Sequence, residues 1–191
     1  MKKLVTTLAA GAALVALATP AHASNHGGGR IEALVGWDHP SISLEDFGIN
    51  DDLNADGIVF GIGAGYDFEV SPTASIGIDL EASESTADFN FDDGVDTAEI
   101  SVGRDLYVGG RVTIAASPTA NVYFKAGYTN TRFRFDLNGA TDSANADGVR
   151  GGLGAQFALG GNAYVGGEYR YSNYEADLSR HQAVLIFGFR M

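Results

Sequence analysis

The sequence predicts an all-β fold, a closed eight-stranded antiparallel transmembrane β-barrel. Three observations predict it: apolar and polar residues alternate with period two in eight segments, short and long connections alternate between these segments, and the polar positions are rich in glycine and charge. A chain of 191 residues suits one domain, and the absence of cysteine excludes a disulfide scaffold or a cysteine-ligated metal site. The formal charge of -12 argues against a nucleic-acid partner, because phosphate binding needs clustered Lys and Arg.

The alternation is clearest from 58 to 70, where every even position is apolar and the odd positions include three glycines and two acids. Side chains on a β-strand point to opposite faces in turn, so this pattern predicts a strand with one apolar face. Seven other segments repeat the pattern and bring the number of strands to eight: about 31–38, 74–83, 105–114, 122–129, 149–159, 163–172 and 182–191.

The first 23 residues are predicted to be a cleaved signal peptide rather than part of the fold. Lys2 and Lys3 precede the apolar stretch from Leu4 to Ala18, and Ala23 ends an Ala-His-Ala sequence typical of a cleavage site. The apolar stretch is shorter than the roughly 20 residues that a membrane helix needs. We therefore expect export, cleavage after Ala23, and a mature barrel domain over 24–191 with 10 basic and 24 acidic residues.

The connections differ at the two ends of the predicted barrel. Three are short, at Ser-Pro-Thr-Ala 71–74, Ser-Pro-Thr-Ala 117–120 and Gly-Gly-Asn 160–162, and their composition is that of tight turns. The other four are polar, acidic and mostly long: about 41–56, 84–99, 136–146 and 175–179. An even number of antiparallel strands with this alternation predicts short periplasmic turns and long extracellular loops. The tetrapeptide Asn-Ala-Asp-Gly also occurs twice, at 54–57 and 145–148, each time before a strand.

Alternation alone does not decide which face of the barrel is outside. In a soluble lipocalin-like barrel, the apolar face would line the interior and the polar face would meet water. Here the polar positions carry many glycines, which suit a narrow interior that must leave room for a few large side chains. Aromatic residues of the apolar face, such as Trp37, Tyr128 and Phe189, lie towards strand ends, as in the girdles of membrane barrels. These features and the signal peptide favour an apolar face in contact with lipid.

The charges predict that the barrel interior is filled by ion pairs. No Lys or Arg occurs between 31 and 103, whereas 17 of the 24 acids lie there. Closing the sheet brings these acids to the bases of the later strands, and an unpaired buried charge would be costly. An eight-stranded barrel is just wide enough for side chains to fill it. The predicted salt-bridged plug consists of Glu32, Asp67, Glu69, Asp79, Glu81, Arg111, Lys125, Arg150 and Arg170.

Three arginines are predicted to form a second site on the outer face. If the turn at 118–120 pairs the flanking strands, Arg104 faces Arg134 and lies next to Arg132. Like charges that face each other across strands destabilise a sheet unless an anion lies between them. Lipopolysaccharide phosphates would supply that anion, and arginine binds phosphate through bidentate contacts. The alternative is a set of loop-base salt bridges to Asp136 or Glu99.

Other candidate sites are weaker. Asp52, Asn54 and Asp56 begin like an EF-hand loop, but the twelfth position is Gly63 within a strand, so an EF-hand is excluded. Loose calcium binding by these three residues is a minor alternative to a solvated turn. His39 and His181 have neighbouring Asp or Ser residues, yet nothing aligns a serine, a histidine and an acid in one place. No catalytic set, other metal site or cofactor is expected.

The final strand places Ala183, Leu185, Phe187 and Phe189 on its apolar face. With the eight-strand pattern over about 29–191, the chain resembles the small eight-stranded outer-membrane β-barrels of Gram-negative bacteria. These are the opacity-protein-like barrels and the transmembrane domain of outer membrane protein A. In that family the barrel-assembly machinery reads a last strand with a terminal aromatic residue, whereas this chain ends in Met191.

The resemblance implies outer-membrane residence and a role in envelope integrity, adhesion or immune evasion. We therefore expect a structural or surface-interaction barrel that meets ligands through acidic loops. A narrow porin-like conduit for small solutes is the first alternative, and an outer-membrane lipid-modifying hydrolase is the second.

Overall fold

The computed structural model describes residues 26–43, 52–92, 97–137, 140–175 and 178–191. The predicted signal peptide and its cleavage site lie outside these residues and stay predictions. Ten strands are present: β1 (Gly28–Ser43), β2 (Asp52–Asn54), β3 (Gly57–Ser71), β4 (Ala74–Ser85), β5 (Asp88–Asp92), β6 (Thr97–Ser117), β7 (Ala120–Leu137), β8 (Ala140–Gly160), β9 (Ala163–Tyr174) and β10 (Leu178–Arg190).

Eight of these strands form a closed antiparallel ring in the order β1-β3-β4-β6-β7-β8-β9-β10. The ring closes where β10 pairs with β1, from Arg30 opposite Arg190 to Ile42 opposite Leu178. Every neighbouring pair in the ring is antiparallel, which confirms the predicted fold class. In the described part of the chain, no helix is long and apolar enough to cross a membrane.

Two of the predicted long loops contain strands that the sequence pattern did not reveal. β5 pairs with the first residues of β6, and β2 pairs with the end of β1. The predicted loop at 136–146 is mostly a continuation of β7 and β8, which pair as far as Leu137 and Ala140. This hairpin lacks an apolar face because both of its faces are outside the closed ring, so period-two alternation does not mark it.

The apolar positions of the ring strands point outwards, as predicted. Ile62 is 68% exposed and Trp37 is 45% exposed, whereas the polar residues that alternate with such apolar residues along each strand point inwards. Continuous apolar exposure around a closed sheet is the surface that lipid, not water, would cover. The alternative of a soluble barrel with an apolar interior is therefore wrong.

Inward glycines leave room for the large polar side chains of the interior. A Cβ at Gly154 would collide with the Tyr123 ring, and one at Gly188 would collide with the Tyr164 ring. A side chain at Gly65 would likewise meet the Arg30 guanidinium. The glycine-rich polar face of the sequence thus reflects the space that these tyrosine and arginine side chains occupy.

One sector of the interior is apolar, which the sequence analysis did not predict. Leu34, Val59, Val184 and Ile186 are buried on the three neighbouring strands β3, β1 and β10. They pack in one cluster with the rings of Tyr123 and Tyr164. The interior therefore contains an apolar cluster beside its charged side chains, rather than polar side chains alone.

Candidate functional site

The interior contains equal numbers of acidic and basic side chains among the described residues. Seven carboxylates and seven bases form ion pairs there, and all eight ring strands contribute at least one member. We call these residues the interior charge set: Glu32, Asp38, Asp67, Asp79, Glu81, Asp105, Glu168, Arg30, Arg111, Lys125, Arg150, Arg170, Arg180 and Arg190. Their formal charges cancel.

The part of this set nearest the long connections is built around Asp105. Arg180 binds Asp38 in a bidentate manner, with N···O distances of 2.6 and 2.7 Å, and reaches Asp105 with its third nitrogen at 2.8 Å. Arg150 donates to the same Asp105 oxygen at 2.6 Å. The hydroxyl of Tyr174 also donates to that oxygen at 2.7 Å. Charge-assisted and bidentate bonds of this kind are strong and geometrically specific.

Glu81 is the centre of the middle part. It accepts a hydrogen bond from Arg170 and lies 3.3 Å from the Lys125 ammonium and 3.4 Å from Arg150. Lys125 also lies 2.9 Å from Glu168, so one ammonium joins two carboxylates. Because Arg150 contacts both Glu81 and Asp105, the middle part is continuous with the part nearest the loops.

The part nearest the short turns joins the barrel seam to β4. Arg30 on β1 binds Asp79 and lies 3.5 Å from Asp67. Arg190, near the chain end, binds Asp67 at 2.7 Å. Arg111 lies 3.4 Å from Glu32. These pairs link the first strand of the ring to the last one and to strands between them. The charges are therefore neutralised only when the ring is closed.

The structure brings together eight of the nine residues predicted for the plug. Glu69 is the exception, because its side chain is exposed at the turn end of β3 and lies outside the ion-paired interior. The pairing of β3 with β4 is irregular at this end, with a register shift between Glu69 and Ser71, so alternation alone placed it wrongly. The set also contains six members outside the predicted plug: Arg30, Asp38, Asp105, Glu168, Arg180 and Arg190. Each lies on the inward parity of its strand, which is the signal that identifies it.

Both ends of the interior are covered by packed residues. At the loop end, an apolar cluster includes Phe89, Val102, Phe133, Tyr174 and Leu178, all buried. At the turn end, the Ser75 hydroxyl donates to the His26 carbonyl at 2.7 Å, and Arg190 reaches the Gly27 carbonyl at 3.4 Å. Residues that precede the first strand thus contact the turn end of the ionic interior, and an apolar cluster lies at its loop end.

The three predicted arginines share the outer face of β6 and β7, but their register differs from the prediction. Arg134 pairs with Ser101, not with Arg104. The main cause is the turn, since Ser117 pairs with Ala120 and the register that follows, Leu106 with Asn130, would place Arg104 opposite Arg132. A bulge between Val102 and Asp105 then shifts the pairing once more. Arg104 donates to Asn130 Oδ1 at 3.4 Å, and Arg132 donates to Asn145 Oδ1 at 3.3 Å.

Comparison with known proteins agrees with this architecture. The sequence profile of the outer membrane protein beta-barrel domain matches residues 7–190. The chain belongs to this outer-membrane barrel family. Its location is therefore the outer membrane, with the apolar outer face in the lipid. No curated protein sequence matches the chain.

Solved structures show the same fold at low sequence identity. Neisserial surface protein A gives a TM-score of 0.62 at 15% identity, covering 86% of this chain and 97% of its own. Ail, the attachment invasion locus protein of Yersinia pestis, gives 0.56 at 16% identity, covering 86% and 99%. The N-terminal barrel domain of Pseudomonas aeruginosa OprF gives 0.51 at 11% identity, covering 86% and 99%. This outer-membrane barrel is thus of the small eight-stranded type.

The repeated Asn-Ala-Asp-Gly sequence builds the same local structure twice on this outer-membrane barrel. Asp56 accepts a hydrogen bond from Trp37 at 2.8 Å, and Asp147 accepts one from Tyr128 at 2.5 Å. In each case the aromatic residue is the cross-strand partner of the residue two positions after the aspartate: Ile58 for Trp37 and Val149 for Tyr128. The second contact is His39 at 3.0 Å in the first site and Asn130 at 2.6 Å in the second. The repeat therefore fixes an aromatic girdle residue rather than a catalytic group.

The weaker candidates are not assembled into sites. Asp56 is committed to Trp37 and His39, and the side chain of Asp52 lies outside the described ones. Among the described residues, no group of three or more His, Cys, Asp or Glu side chains could hold a metal ion. Asp38 points inwards and binds Arg180, so it does not contact the outward His39. The hydrogen bonds from His39 and then Trp37 lower the pKa of Asp56 below its usual value.

Proposed function

We propose that this protein is a sealed outer-membrane barrel that presents an acidic loop end to cationic partners. In this role the barrel is an anchor and the connections on the outer side carry the interaction. Envelope integrity and adhesion-like contact are both compatible with such an anchor. The observation that carries the proposal is the contrast between a neutral, enclosed interior and a strongly acidic set of connections.

The distribution of charge supports this contrast. Of the 24 acids, seven belong to the interior charge set and Glu69 lies at the turn end. The remaining sixteen are in or beside the four long connections. The basic residues there are Arg104, Arg132 and Arg134. A surface with this excess of negative charge attracts cations and disfavours anionic partners.

Ail offers an instructive contrast. That protein of Yersinia pestis has been solved in complex with the heparin analogue sucrose octasulfate, which is a polyanion. We infer that loop chemistry has diverged on the shared fold, since the acidic connections of this chain would repel such a ligand. A cationic peptide or a basic protein surface is the partner class that the charge favours.

Two alternatives have less support. A solute conduit would need a path through the interior charge set and through the apolar cluster beneath the loops. A lipid-modifying hydrolase would need a serine aligned with a histidine and an acid, whereas His39 is engaged by Asp56 and His181 by Tyr169. During biogenesis we propose recognition by the barrel-assembly machinery through β10, whose outward Phe187 and Phe189 precede the terminal Met191.

The test is binding of a lysine-rich peptide to the folded barrel in nanodiscs. Asp88, Asp92, Asp93 and Asp96 are replaced together by Asn, and Glu69→Gln serves as the control at the opposite end. We expect the loop variant to bind the peptide at least several-fold more weakly and the control to bind like the wild type. Equal peptide binding by the loop variant and the wild type would contradict the proposal.

A further inference from the structure

The geometry points to an anion site on the outer wall, formed by Arg104, Arg132 and Arg134, that binds phosphate groups of the outer-leaflet lipid. We call these residues the outer arginine cluster. The inference depends on the outer-membrane location, not on the proposed role of the loops. It goes beyond that role because it concerns the lipid around the barrel rather than a partner above it.

The outer arginine cluster carries all the exterior basic charge of the described residues. After Lys3 the sequence contains ten Lys and Arg residues, and seven of them belong to the interior charge set. The other three are Arg104, Arg132 and Arg134, and all three lie on the outward parity of β6 and β7. The whole exterior basic charge is therefore concentrated on one pair of neighbouring strands.

The outer arginine cluster lies just beyond the apolar band of β6 and β7, towards the loop end. Leu106 and Tyr128 are among the last outward apolar residues of β6 and β7 before the loop end, at 40% and 48% exposure. Arg104 follows Leu106 on the outer face, and Arg132 and Arg134 follow Tyr128 after Asn130. Residues immediately beyond the apolar band face the headgroup region, where lipid phosphates lie.

The outer arginine cluster differs from the rest of the ring at this height. On the other six ring strands, or directly before them, the first outward residues beyond the apolar band are acidic, amide or imidazole side chains, whereas Arg104 is the first on β6 and Arg132 follows Asn130 on β7. Those of the other six strands are His39, Asp56, Glu84, Asp147, Asn173 and His181. Phosphate groups around the barrel would therefore meet cationic side chains in one sector alone.

Two members of the outer arginine cluster contact side-chain amides on β7 and β8. Arg104 and Arg132 donate to the amide oxygens of Asn130 and Asn145, which orient the guanidinium groups without adding negative charge. Gly103 lies beside Arg134, since a Cβ built on Gly103 would be 3.7 Å from the guanidinium carbon of Arg134. A phosphate would accept bonds from several of these donors and offset their mutual repulsion.

The experiment compares the wild type with the triple variant R104Q/R132Q/R134Q. Both are folded into vesicles that contain bis-phosphorylated lipid A or dephosphorylated lipid A. The readout is the thermal midpoint of unfolding, followed by the gel shift on heating. We expect phosphorylated lipid to raise the midpoint of the wild type, and the triple variant to lose most of that rise. An equal rise in both proteins would overturn the site.

Two further variants separate the site from net charge and from folding defects. D56N/E84Q/E175Q removes three charges of the opposite sign outside the cluster. If net charge alone governed lipid binding, this variant would gain as much phosphate preference as the triple variant loses, which would overturn the site. R132Q alone tests the site if the triple variant does not fold, and we expect it to lose part of the phosphate preference. An unchanged preference would overturn the site.

A last arm distinguishes lipid phosphate from free phosphate. The wild type in detergent is titrated with inorganic pyrophosphate, and we expect a rise in the midpoint of less than half of that given by phosphorylated lipid. An equal rise with free pyrophosphate would overturn the assignment to lipid. Loss of lipid preference in the triple variant with unchanged binding of the lysine-rich peptide would separate this site from the proposed function.

Discussion

Glu81 and Glu84 lie three residues apart on β4, yet one is buried inside the barrel and the other is exposed on its outer face. Glu81 contacts Lys125 and Arg150 at 3.3 and 3.4 Å and also binds Arg170. Glu84 faces outwards near the loop end. The two residues have the same side chain and the same strand, so parity decides their environment. The comparison separates a low-dielectric region, where charge must be paired, from a solvated rim, where excess charge is tolerated.

Glu81→Gln should give the largest effect. The change leaves Arg150, Arg170 and Lys125 with one carboxylate fewer in an enclosed interior, so we expect a loss of about 3 kcal/mol of unfolding free energy. Glu84→Gln should change the unfolding free energy by less than about 0.5 kcal/mol. Denaturant unfolding in phospholipid vesicles, followed by tryptophan fluorescence, measures both. Similar losses for the two variants would show that the interior is not electrostatically distinct.

The double variant Glu81→Gln, Lys125→Met should recover part of this loss. It restores equal numbers of acidic and basic groups in the interior charge set, and replacing a buried ion pair by neutral groups is often close to neutral in energy. We expect a coupling energy of about 1–2 kcal/mol in the double-mutant cycle with Lys125→Met. Additive losses would mean that steric packing, rather than charge, fixes this part of the interior.

Salt should affect the two regions differently. Raising ionic strength from about 0.1 M to about 1 M shortens the Debye length from about 10 Å to about 3 Å. Binding of the lysine-rich peptide at the loop end should fall about tenfold or more, whereas the unfolding free energy should change by less than about 1 kcal/mol. Titrations of binding and unfolding over the same salt series make the comparison. If peptide binding and the unfolding free energy declined together, the interior ion pairs would be screened by salt and would therefore be in contact with solvent.

The smallest effect is expected at the first Asn-Ala-Asp-Gly site. The hydrogen bonds from His39 and Trp37 lower the pKa of Asp56 from its usual 3.8, so their stabilisation is present above that value and is lost as pH falls through the folded pKa. His39→Gln should therefore raise the pKa of Asp56 towards 3.8. The titration of Asp147 should not change, because Asn130 occupies the equivalent position there. Carboxyl NMR titration measures both groups, and an unchanged Asp56 would show that His39 has no part in its pKa.

The sequence predicted the ring because alternation, turn composition and charge agree over the parts of the strands that lie in lipid. It did not predict β5 or the continuation of β7 and β8, because strands that leave the lipid have no apolar face to reveal them. Arg30 and Arg180 were absent from the predicted plug because they lie at or beyond the ends of the apolar runs. Extending the alternation of inward positions by two residues beyond the apolar runs of β1 and β10 would have included both.

The outer arginines illustrate the limit set by register. The sequence identified their common face, but the direct pairing of Ser117 with Ala120 sets a different register at the turn, and the bulge before Asp105 shifts β6 against β7 once more. Nothing in the composition of these segments marks either shift. The repeated Asn-Ala-Asp-Gly sequence illustrates the reverse case. Its recurrence is visible in the chain, but only the pairing of Trp37 with Ile58 and of Tyr128 with Val149 explains why the aspartate recurs.

The central claim is that the interior is closed by its ion pairs and by the packed residues at its two ends. Single-barrel recording in a planar lipid bilayer tests it most directly, with a wide-pored porin as the positive control. The account predicts no conductance steps above the bare bilayer for the wild type, at voltages up to about 100 mV of either sign. Reproducible unitary steps that change in size or ion selectivity when Glu81 is replaced by Gln would contradict it, because ions would then be passing through the interior charge set.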